Sequence, residues 1–180
     1  MTPMALKLAF SALVVLAALE DAWRLRISNW LSIALLLLFA VAAYFSPRPI
    51  DWVDHLAAAA LTFAVGAVLF ARGWFGGGDV KLLTMVALWC GLSDLPLLVV
   101  FTTIAGGLLA IGLFVLRRVL PAPGEARTRH HLFRRKGPIP YGIAICVGAL
   151  LMAGRLPMTE PLPLKITLPM PAALALKPQR

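Results

Sequence analysis

The run Gly76-Gly77-Gly78-Asp79, followed by Val80, Lys81 and a long apolar stretch, sets a carboxylate at the mouth of a hydrophobic segment. The backbone there has no side chains to block a close approach. Glu20 and Asp21 hold the same kind of position at the end of the first apolar segment. Two carboxylates close together do not both ionise cheaply, so one keeps its proton and the other loses it. The ionised group can take a proton from a water attacking a peptide carbonyl, and the protonated one can donate to the carbonyl oxygen. Glycines suit such a site because they adopt positive φ and let an extended peptide lie close to the acids.

The elements that carry these acids are hydrophobic. The chain has 180 residues, of which 61% are apolar and 14% charged. An ordinary soluble domain is about half apolar and a quarter charged, so this is an integral membrane protein. Six apolar runs are predicted, at 4–19, 30–45, 55–71, 82–92, 95–116 and 139–154. Most fall slightly short of the ~20 residues needed to span, which puts their ends at the headgroups or in the shelter of protein. The fold class expected is all-α, a polytopic bundle of about six transmembrane helices. Residues 1–154 form the helical domain and 155–180 a Pro-rich tail, too broken by proline for a regular helix. The first run reads as an uncleaved helix rather than a signal peptide, because its leading region has one charge and five apolar runs follow.

The formal net charge is +9. The cations cluster in loops between apolar runs, a membrane pattern and not that of a nucleic-acid surface. Loops 20–28, 72–81 and 117–138 together carry eleven Lys and Arg, whereas 46–53 and 92–94 carry only Arg48. The three basic loops are expected in the cytoplasm, with both termini outside. That leaves Glu20, Asp21, Asp79 and Glu125 as the acids on the basic face, and Glu125 reads as a solvated loop charge. Glu20 and Asp21 point about 100° apart on a helix, so one can face the bundle; the residues alone do not say which.

Bland readings stand beside these. Asp79 could cap the fourth helix and Asn29 the second. Lys81 could be a snorkelling anchor. Trp23, Trp30, Trp52 and Trp74 fit an aromatic belt. Cys90 and Cys146 lie in separate apolar runs, and the adjacent His130 and His131 lack metal-ligand spacing, so neither a metal nor a cofactor is expected.

Three segments in order resemble type IV prepilin peptidases. Asp21 with Ile27 and Asn29 resembles their D-x-x-x-x-x-I-x-N segment, Gly76 to Lys81 their G-x-G-D-x-K segment, and Pro140-Tyr141-Gly142 their P-Y-G segment. The resemblance covers roughly residues 20–150. It implies a cytoplasm-facing aspartic endopeptidase of the bacterial inner membrane that removes the basic leader from prepilins or pseudopilins. It selects Asp21 over Glu20 and makes Asp21 and Asp79 the catalytic pair, with Asn29, Gly76, Gly78 and Lys81 in substrate binding or site support. The paired C-x-x-C motifs of the long form are not found, so the chain looks like the short, peptidase-only form of tight-adherence pili. Other readings are a G-x-G-D protease for other membrane helices, or a small transporter or assembly factor whose acid pair binds cations.

Overall fold

The structure is a computed structural model, described here for residues 3–46, 49–119 and 138–156. It is all-helical across them: α1 (Pro3–Arg24), α2 (Asn29–Tyr44), α3 (Trp52–Ala71), α4 (Gly77–Cys90), α5 (Leu95–Val119) and α6 (Tyr141–Met152), followed by a 3-10 turn at Ala153–Arg155. Each expected apolar run is matched by one helix. Most of the 117–138 loop, with His130 and His131, and the tail beyond Leu156 lie outside the described residues.

Glycine and proline set several boundaries. Gly91 ends α4 at φ +80°, a conformation L side chains avoid, and a side chain there would collide with Asp54. Pro96 sits in the first turn of α5, where its missing N–H goes unused. Asp51 caps α3 by accepting from the Asp54 N–H at 3.1 Å.

The short helix α4 is the hub of the bundle and packs on α2, α3, α5 and α6. Its run from Val86 to Cys90 is wholly buried. Trp89 fills the centre, stacked obliquely on Phe10 at 4.9 Å and edge-on to Phe39 at 5.7 Å. Its indole N–H donates to the Leu35 carbonyl at 3.1 Å, so the one polar atom of the ring is satisfied. Truncation of Trp89 to Ala would leave a cavity costing about 3–5 kcal/mol.

The outer surfaces of α3 and α5 carry Phe63, Phe70, Ile104, Leu108 and Phe114, all more than half exposed. These two helices are each long and apolar enough to cross a membrane. Inside the bundle the arrangement reverses for a few polar groups: Asp21, His55, Thr62, Thr84 and Thr102 are buried. An apolar outside around a partly polar inside suits a bilayer, where helices associate by packing and internal hydrogen bonds rather than by hydrophobic burial.

Polar contacts gather at the two ends. At one end the Asp54 carboxylate accepts from Leu92 N, Ser93 N and Ser93 Oγ at 2.9–3.1 Å, locking α3 to the α4–α5 turn. Arg155 pairs with Asp94 at 3.3 Å beside it. The other end holds the glycines and the acids.

Candidate active site

Asp21 lies in the last turn of α1 and Asp79 in the first turn of α4, ahead of that helix's apolar stretch from Leu82. Both line one cavity of about 280 Å³, walled otherwise by Leu25, Arg26, Ile27, Gly76, Gly77 and Gly78. The structure therefore brings Asp21, Asp79, Gly76 and Gly78 together around one cavity.

Asp21 is buried, and its Oδ2 accepts from the backbone N–H of Gly142 at 2.8 Å. Pro140 is the N-cap of α6, so Gly142 offers one of the four N–H groups that a helix start leaves unpaired. The carboxylate thus sits on the positive end of the α6 dipole, a setting that favours its charged form. Gly142 was legible in the sequence only as part of Pro140-Tyr141-Gly142, with no role attached. The helix-opening position of that segment was the signal, since such starts attract anions.

Asp79 is the third residue of α4, and Gly76 is its N-cap. This corrects the capping reading: the Asp79 carboxylate instead accepts from the Gly76 N–H inside the first turn, the return half of a capping box. Asp79 and the buried Asp21 thus face one small cavity, where two carboxylates do not both ionise cheaply.

Glu20 faces elsewhere. Its carboxylate accepts from Ser28 N at 2.9 Å and from the Ser28 hydroxyl, and it pairs loosely with Arg24 at 3.9 Å. It ties the α1–α2 connection, in which Leu25 takes a positive φ of 54°. Asn29 opens α2 but Ser28 is its N-cap, which corrects the capping role expected of Asn29. The Asn29 side chain instead accepts from Lys81 Nζ at 2.9 Å, bridging α2 to α4 next to the cavity.

The sequence profile of the Type IV leader peptidase family matches residues 8–111. The chain belongs to that family. Asp21, Asn29, the glycine run, Asp79 and Lys81 all fall within the matched stretch. The chain is 28% identical over 144 residues to the prepilin leader peptidase/N-methyltransferase of Bacillus subtilis (strain 168). That similarity covers 79% of this chain and 52% of the relative, so the chain spans about half the length of the curated family protein it matches. No solved structure matches. Family membership and the apolar helices together mark a membrane protein related to leader peptidases.

Proposed function

We propose that this chain is an aspartic endopeptidase that removes the basic leader from prepilins or pseudopilins at the cytoplasmic face of the bacterial inner membrane. The observation that carries the proposal is the shared cavity of Asp21 and Asp79 within a leader-peptidase-family chain. On this reading all six helices span, and the Asp21–Asp79 end of the bundle faces the cytoplasm.

The mechanism uses the difference between the two acids. Asp21, held charged by the Gly142 N–H and the α6 dipole, takes a proton from a water in the cavity. The water oxygen bonds to the scissile carbonyl carbon as Asp79 gives its proton to the carbonyl oxygen. The tetrahedral intermediate collapses when the C–N bond breaks. The proton on Asp21 goes to the leaving amine, and the proton on the former carbonyl oxygen returns to Asp79. Both acids end as they began, and water is the sole co-reactant. Gly76, Gly77 and Gly78 leave room for the substrate backbone beside the acids. Asn29 and Lys81 fix the α2–α4 spacing at the cavity rim.

The test is co-expression with a cognate prepilin, read by the gel shift on leader removal. Asp21→Asn and Asp79→Asn are each expected to abolish the shift while the protein remains inserted. Glu20→Gln, whose carboxylate faces Ser28, is expected to process normally. Near-normal processing by either Asp variant would overturn the assignment.

A further inference from the structure

A second cavity, of about 410 Å³, opens between α3 and α5 on the face of α4. Neither wall packs closely on the other: α3 leans on α4, α5 on α6, and α4 floors the gap between them. The cavity lies within the usual range for ligand clefts, but its lining is that of a lipid-depth groove. Val65 on α3 and Val99 on α5 form the opposing walls and are 53% and 46% exposed.

The groove runs to the acid pair. Val80, on its floor, is the residue after Asp79. Phe75 and Tyr141 close that end, their rings 5.2 Å apart and edge-on. Phe75 precedes Gly76, and Tyr141 precedes the Gly142 whose N–H binds Asp21. The segment after Phe75 therefore walls the acid cavity, and the segment after Tyr141 holds the Asp21 carboxylate in it.

The groove is lined mainly by apolar side chains, and the hydroxyls of Thr62 and Thr102 are covered by the packed helices, that of Thr102 against Gly148 of α6. A chain entering this groove has no water to satisfy its backbone, so it must enter as a helix, with its peptide groups already paired.

Resting on the peptidase reading above, we propose that the α3–α5 groove holds the apolar helix of the substrate that follows the scissile bond. The helix lies between Val65 and Val99, and its end unwinds past Phe75 and Tyr141 onto Asp21 and Asp79. Recognition is then divided. The groove selects an apolar helix in the bilayer, and the glycine-walled cavity receives the extended segment to be cut.

The test uses the full chain in its native membrane with a co-expressed prepilin. In an Asp79→Asn background, a cysteine replacing Val65 or Val99 is expected to cross-link to a cysteine in the prepilin's apolar helix. A cysteine at Leu37, exposed on α2, is expected to give no adduct. With the acid pair intact, Val65→Trp and Val99→Trp are expected to slow leader removal at least tenfold, and Leu37→Trp to leave it unchanged. Equal adducts at Leu37 and Val65, or no adduct at Val65 and Val99, would overturn the groove assignment even if Asp79→Asn blocks cleavage. Cleavage persisting in Asp79→Asn alongside adducts at Val65 and Val99 would retain the groove and remove the peptidase mechanism instead.

Discussion

The Gly142 N–H and the Asp21 carboxylate meet at 2.8 Å although 121 residues separate them in the chain. The contact joins the end of α1 to the start of α6 and fixes Asp21, the one acid buried among the described residues. It also explains why position 142 is glycine. A Cβ there would lie 2.9 Å from both Cβ and Oδ2 of Asp21, closer than real Cβ atoms approach their neighbours. Gly142→Ala is therefore expected to displace the Asp21 carboxylate and cut leader removal by tenfold or more. Helix content and membrane insertion should be preserved, because alanine is the better helix former. Processing at the native rate by Gly142→Ala would show that Asp21 tolerates a shifted position.

In the proposed mechanism Asp79 gives its proton to the scissile carbonyl, so processing in isolated membranes is expected to fall on the alkaline side, with the limb belonging to the pair rather than to one acid. A rate that does not fall with rising pH would argue that neither acid of the pair acts as the proton donor.

Lys81 and Asn29 are joined at 2.9 Å across an exposed edge of the cavity. An exposed hydrogen bond to a charged group contributes modestly, about 1 kcal/mol or less after solvent screening. Asn29→Ala and Lys81→Met are each expected to slow processing several-fold, with little change in melting temperature. The double variant should be no slower than the worse single one, since either change breaks the same bond. Additive losses in that cycle would mean that the two side chains act separately.

The helices were legible because their apolar runs are long and are interrupted by charge and glycine, signals that survive without tertiary context. The ends were less so. The capping role expected of Asp79 passed to Gly76, and that expected of Asn29 passed to Ser28. In both cases the side chain that sequence assigned to a local cap was taken by a different contact: the Gly76 N–H within the turn for Asp79, and Lys81 for Asn29. Asp21 and Glu20 could be told apart only by resemblance, because adjacent residues share every local property. Tertiary contacts separate them, with Gly142 meeting Asp21 and Ser28 meeting Glu20. The α3–α5 groove had no signature in the sequence at all, because it is a gap between helices whose relative placement no local pattern encodes.

Orientation is the last expectation, and it ties the substrate to the site. A leader that is basic stays in the cytoplasm, so a bond at its junction with an apolar helix lies at the cytoplasmic interface. Asp21 and Asp79 reach that bond only if the end of the bundle bearing loops 20–28 and 72–81 faces inward. The cations of the same loops require that orientation independently. With those of the 117–138 loop they make eleven positive charges, which raise a difficulty because they repel a basic leader. Anionic headgroups drawn to the 117–138 loop would offset the repulsion. Cysteine labelling reads the orientation directly. Cys90 and Cys146 are buried and give little background. Trp74, exposed beside the glycine run, and Tyr44, exposed at the far end of α2, suit single replacements. Trp74→Cys is expected to react with an impermeant thiol reagent only in inverted membrane vesicles, and Tyr44→Cys only in intact cells freed of the outer membrane. Should Trp74→Cys react from outside, the acid pair faces away from the leader and the proposed cleavage cannot occur.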